Sequence, residues 1–317
     1  MKEEVEEKEE EEEEKDEGGG AFEAVAALPA HRFDSVGSAA ANAPTRQFVK
    51  SVRKEWKLLR TSLPEGIYVR VCENRMDLLR AIILGPGKTP YEDGFFVFDI
   101  YLPPEYPNLS PQVLFISYGD RLNPNLYDNG KVCLSLLGTW GGDGVETWNP
   151  AASTVLQVLV SIQGLVLVGE PYYNEAGYQK QMGTMEGQHN SKLYNESTLL
   201  LVLKHMIYSL THPTLPLQDF IRHHFRQRGP SILRRCQRIL DKAASSSTTA
   251  TCTTSAASTQ MGAARACATG EEEEEEDDTS ALSIGWADRS VPESASKGFI
   301  RSLEKLMPRL KAALPSD

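Results

Sequence analysis

Cys133 is the residue in this chain best placed to do covalent chemistry. It follows the turn-rich run Asn123, Pro124, Asn125, Asp128, Asn129 and Gly130, and precedes a long apolar segment. A thiolate is a strong nucleophile. Asn125, eight residues upstream, brings a side-chain N–H of the kind that steadies an oxyanion when a thioester is attacked. A free cysteine is more often a buried, inert thiol, and an asparagine among turn residues is more often an Asx-turn. The dense turn cluster sets Cys133 just behind a surface loop, which favours the chemical role.

The elements that must hold this loop can be read on both sides of it. Phe48, Val52, Trp56 and Leu59 fall at helical spacing and predict a helix over 47–61, ended by Leu63-Pro64-Glu65-Gly66. Strands are predicted over 67–72, 77–84, 95–102 and 112–117, separated by turn residues as in an antiparallel meander. A long irregular segment holding Cys133 comes next, followed by a nearly all-apolar helix over 153–168 that should be a central packing element. Residues 189–226 read as one or two further helices, interrupted by Pro213 and Pro216.

In order and spacing, these pieces resemble the ubiquitin-conjugating (E2) family from about Arg46 to Tyr178. Gly85–Pro111, GPGKTPYEDGFFVFDIYLPPEYPNLSP, is similar to that family's GP turn, PYxxG hairpin, apolar strand and P-x-x-YP-x-x-P segment. Trp148, Pro150 and Ala151 match its W-x-P-A element. The resemblance implies an α+β fold, a four-stranded antiparallel meander packed by an N-terminal, a central and C-terminal helices. It implies that Cys133 accepts ubiquitin from an E1 enzyme as a thioester, which the lysine of a protein substrate then attacks. Asn125 would be the oxyanion-stabilising or loop-ordering amide. Glu170, in GEPYYNE, would orient the lysine and help it lose its proton, a necessary step because a free lysine has a pKa of about 10.4.

The chain departs from the family pattern at four places. The usual H-P-N triplet reads Asn123-Pro124-Asn125, and Ser135 stands where an acidic residue is frequent. Cys133 and Trp148 are fifteen residues apart, with Trp140, Asp143 and Glu146 in the enlarged loop. Asn108 occupies a position where many members carry an aromatic for docking RING-type E3 ligases, so an E3 partner is left open. Together these features resemble the branch that holds large E2s and E2/E3 hybrids. Two other readings stay open: a non-catalytic E2-like module that binds ubiquitin, and an E2 for a ubiquitin-like modifier. No cofactor or metal is implied. ATP would be consumed by the E1, and no P-loop motif occurs.

Composition divides the chain further. Residues 1–17 carry 12 acidic and 3 basic groups and residues 271–278 read EEEEEEDD; without these two runs the net charge of −11 becomes +6. The expected organisation is a disordered acidic tail over 1–42, a core domain over 43–190, a helical extension over 191–242, a low-complexity acidic linker over 243–292 and a basic amphipathic helix over 293–317. In the last, Phe299, Ile300, Leu303, Leu306, Met307 and Leu310 share a side, and Pro308 predicts a kink or two short pieces. That helix could dock on the domain, fill a partner's groove or lie on a membrane surface. The five cysteines, Cys72, Cys133, Cys236, Cys252 and Cys267, form no CxxC pair, which fits a reducing cytoplasmic or nuclear setting. No nucleic-acid motif and no apolar run of spanning length is present. His223 and His224 read as a helix face.

Overall fold

The computed structural model describes residues 20–36, 44–140, 147–212, 217–252 and 295–315. Helix α1, Arg46–Ser62, starts where the Thr45 hydroxyl accepts from the Phe48 N–H at 3.1 Å. It buries Phe48, Val52 and Leu59 and stops at Leu63, ahead of Pro64.

The meander follows as predicted: β2 (Ile67–Cys72), β3 (Leu78–Leu84), β4 (Phe95–Tyr101) and β5 (Gln112–Phe115) pair antiparallel in sequence order. A fifth strand, β1 (Phe22–Val25), adds to the edge of β2 in parallel. The expected tail over 1–42 is therefore corrected, because residues 20–36 fold onto the sheet. Their anchor is a buried ion pair between register partners: Arg80 and Asp99, both fully buried, meet at 2.6 Å. Arg80 also donates to the Pro29 carbonyl, Asp99 accepts from the Arg32 N–H at 2.8 Å, and His31 bonds the Leu79 carbonyl at 2.9 Å. Phe33 stacks on Tyr101. Four residues, Phe22–Val25, are too short a run to carry a strand signal; this one is fixed by partners about 50 residues away.

Helix α2 (Val155–Ser161) buries Val155, Val158 and Leu159 in the same apolar core as the sheet and opens with a capping box between Thr154 and Gln157. The single helix expected over 153–168 instead widens into a π turn over Ile162–Val166, closed by the Leu167 N–H on the Ile162 carbonyl. Glu55 of α1 ties these parts together. Its carboxyl accepts from the Tyr106 hydroxyl at 2.7 Å and from the Val155 N–H at 3.0 Å.

Helices α3 (Met185–Thr211) and α4 (Gln218–Cys252) take up the predicted C-terminal helices. The expected boundary at 190 falls inside α3, and α4 continues ten residues into the expected linker. The rest of that linker, 253–292, lies outside the described residues. On α3, His205 packs against Phe96, Phe115 and Tyr118. On α4, Phe220 packs edge-on against Tyr68, and Arg228 and Arg235 meet the Asp93 carboxylate at 2.6 and 2.8 Å. His224, half of the pair read as a helix face, is buried and bonds the Asp93 carbonyl. Helix α5 (Lys297–Ala313) buries Phe299, Leu303, Leu306 and Leu310 and packs on α3 and α4. It is one helix through Pro308, so the alternative of two short pieces is corrected: the apolar stripe on one side outweighs the one lost hydrogen bond, and Pro308 faces solvent.

Candidate active site

The segment from Leu122 to Leu134 folds back on itself. Gly130, at φ +90°, lets its carbonyl accept from the Phe115 N–H at 2.8 Å, and a Cβ there would stand 2.6 Å from the Phe115 oxygen. Bridges pair Leu114 with Lys131 and Leu126 with Val132. Thr139 closes the far side by donating to the Val132 carbonyl and accepting from the Leu134 N–H.

Within this fold Asn125 and Cys133 are brought together. The Cys133 N–H donates to the Asn125 carbonyl at 2.9 Å, and the Asn125 side-chain amide donates to the Cys133 carbonyl at 2.9 Å. That amide orders the loop by holding the cysteine backbone. Among the described residues, the buried Asn125 Oδ1 has no hydrogen-bond partner. Asn123, fully buried, acts one layer further in. Its carbonyl oxygen accepts from the Asn125 N–H, and its amide donates to the Tyr91 hydroxyl and to the Val166 carbonyl, each at 2.7 Å. Asparagine can fill this place because it offers two donors and an acceptor.

The Cys133 side chain is nearly buried at 2% exposure. Tyr127 is its polar neighbour. The phenol is pushed above its ordinary pKa by loss of solvent, then by the charge and hydrogen bond of Cys133. Arg121 stacks 4.3 Å over the Tyr127 ring, donates to the Pro124 carbonyl and pairs with Glu175 at 3.1 Å. Tyr127, Arg121 and Glu175 escaped the sequence reading. The only local signal was an aromatic between two cations in Arg121–Lys131; Glu175 reaches the site from 54 residues away.

Among the described residues, Glu170 makes no hydrogen bond to this pair. It is exposed, opens a short 3-10 turn over Pro171–Asn174, and accepts from the Ser191 hydroxyl at 3.2 Å. The preceding Gly169 carbonyl is held by Asn195. Its link to the cysteine loop runs through Asn123 and Val166, four residues before it. Ser135 starts a 3-10 turn directly after the cysteine, and Asn108 lies in a turn closed on the Glu105 carbonyl. Asp143 and Glu146 lie outside the described residues. Among the described residues no cluster of three His, Cys, Asp or Glu side chains forms a metal site.

A meander covered by a central helix, with a cysteine in an asparagine-ordered loop between sheet and helix, defines the ubiquitin-conjugating class of α+β protein. The ubiquitin-conjugating enzyme family model matches residues 51–201, and the chain belongs to that family. Two Arabidopsis thaliana proteins named as ubiquitin-conjugating enzymes are similar to it. E2 23 is 56% identical over 191 residues, 60% of this chain and 17% of that protein. E2 38 is 48% identical over 215 residues, 68% of this chain and 66% of that protein. The human dual E2 ubiquitin-conjugating enzyme/E3 ubiquitin-protein ligase BIRC6 is 40% identical over 196 residues, 59% of this chain and 4% of that protein. The chain thus spans less than two thirds of the length of these relatives.

Proposed function

We infer that this chain is a working E2 in which Cys133 carries ubiquitin. The thiolate of Cys133 attacks the thioester carbonyl that joins ubiquitin to the E1, and the E1 thiolate leaves. The neutral amine of a substrate lysine then attacks the new thioester. Cys133 leaves as thiolate, the amine proton passes to Glu170 or to solvent, and an isopeptide bond remains. The reciprocal hydrogen bonds between Asn125 and Cys133 carry this reading, because they fix the backbone of the reacting residue. Transfer without a separate E3 is the finer form of the proposal, and similarity to a protein named as both E2 and E3 supports it.

The 2% exposure of Cys133 favours a second reading, a non-catalytic module that only holds ubiquitin. Charging with E1, ATP and ubiquitin on a non-reducing gel separates the two. A product one ubiquitin heavier, lost on reduction and absent from Cys133→Ala, supports the enzyme. No such product from folded protein, while a control E2 charges, supports the module. Repeating the assay with each ubiquitin-like modifier and its own E1 tests the choice of modifier, and adding a lysine-bearing substrate without E3 tests direct transfer.

A further inference from the structure

The C-terminal helices are strongly basic in an acidic chain. Helix α4 has seven Lys and Arg against two Asp, and α5 has five against one Glu. On α4 this charge borders a cleft of about 610 Å³ lined in part by Glu92, Arg228, Arg234, Arg235, Arg238 and Asp241. Arg235 sits deep in it, paired with Glu92 and Asp93 at 2.8 Å. Arg228 is half exposed, and Arg234 and Arg238, one helical turn apart, face solvent at the rim. The ion pairs at the base tie α4 to Glu92 and Asp93, in the turn before β4.

We propose that the acidic run Glu271–Asp278 of this same chain docks on the Arg234–Arg238 rim. Charge complementarity is the first argument: eight consecutive carboxylates meet a fixed arginine row, and arginine pairs carboxylates through two N–H groups at once. Reach is the second. From Cys252, at the end of α4, the helix runs back about 21 Å to Arg238 and about 27 Å to Arg234 at 1.5 Å per residue. The same Cys252 is joined to Glu271 by a stretch made mostly of Ala, Ser, Thr and Gly, with Gln260, Met261, Arg265 and Cys267 among them. A flexible tether of that length spans roughly 24 Å root-mean-square. Effective concentration is greatest when tether length matches the span, reaching the millimolar range.

The test uses the full chain, a variant with Glu271–Glu276→Gln and Asp277, Asp278→Asn, and a fluorescent EEEEEEDD peptide in low salt. Circular dichroism confirms that each protein is folded. Peptide anisotropy should show binding to the neutralised variant at least about tenfold tighter than to the unaltered chain, whose own run competes at high effective concentration. Adding Arg234→Gln and Arg238→Gln to the neutralised variant should remove that binding. Equal affinity for the unaltered and neutralised chains overturns the proposal, as does binding that survives loss of both arginines. Phosphatidylserine vesicles and a short RNA duplex serve as alternative polyanions. If either binds the unaltered chain as well as the neutralised one, the rim is open to an outside partner and the intramolecular contact is refuted.

Discussion

The side-chain nitrogen of Asn123 lies 2.7 Å from the Val166 carbonyl oxygen, 43 residues further on. This one contact joins the cysteine loop to the π turn that ends the central helix. The same amide reaches the Tyr91 hydroxyl, and its oxygen holds the Asn125 N–H. Three segments therefore take their position from a single buried side chain.

Asn123→Ala should destabilise the fold by about 3 kcal/mol, because several buried polar groups lose their partner at once. Asn123→His should cost less, since the imidazole retains a donor and an acceptor. Urea unfolding of the three proteins checks the order. Equal stability of the alanine variant and the parent would remove the role given to Asn123.

Removal of residues 1–19 should leave stability nearly unchanged, whereas removal of 1–36 should cost at least about 3 kcal/mol. The longer deletion strips the Arg80–Asp99 pair of its covering backbone partners and bares both charges. Thermal unfolding of the two deletions distinguishes a folded segment from a dispensable tail.

Stability should fall in mild acid. His205 is fully enclosed, and burial pushes its pKa down to about 3. Its unfolded form takes up a proton near pH 6.5 while the folded form stays neutral. The stabilisation from this group is present above pH 6.5 and is lost as pH falls toward 3, about 2 kcal/mol between pH 7 and 5. His31 and His224, lowered chiefly by burial, act in the same direction. His205→Phe should flatten the slope by about one proton when urea stability is measured at both pH values.

Glu55 works with the opposite sign. Its pKa is raised, first by burial and against its hydrogen bonds to Tyr106 and Val155. The folded state holds the proton longer than the unfolded one. The contribution is present below about pH 4.5 and is lost as pH rises through the folded value. Glu55→Gln should therefore gain relative to the parent between pH 4 and 7, a trend that paired unfolding curves would reveal.

Glu170→Ala should slow the attack of lysine on the charged enzyme about a hundredfold and leave charging by E1 almost unaltered, the range expected for a single positioned base. Single-turnover discharge to free lysine, followed beside charging, reads the two steps separately. Equal slowing of both would take Glu170 out of the transfer step.

Much of this architecture was legible because it is written locally. The apolar stripe of α1, the meander strands and the turn cluster before Cys133 each follow from neighbours in sequence. The proximity of Asn125 to Cys133 was legible too, since a tight return over eight residues brings them together. What stayed hidden depends on distant partners. The strand at Phe22–Val25 exists because β2 offers an edge and Arg70 on that edge pairs with Glu23 at 2.8 Å. The Tyr91 and Val166 contacts of Asn123 and the Glu175 pairing of Arg121 have no local signature. Pro308 misled for the converse reason: a local preference was overridden by the stripe that α5 buries on α3 and α4.

The buried Arg80–Asp99 pair faces away from the central helix, beneath residues 20–36, while Phe220 of α4 lies over Tyr68 further along the same side. The sheet is thus upholstered on both faces by its own chain. Under the proposed function, a visiting protein would be met along loops and helix ends beside the cysteine loop. Recognition and chemistry would then share one border, and a substitution that reshapes that border should alter both.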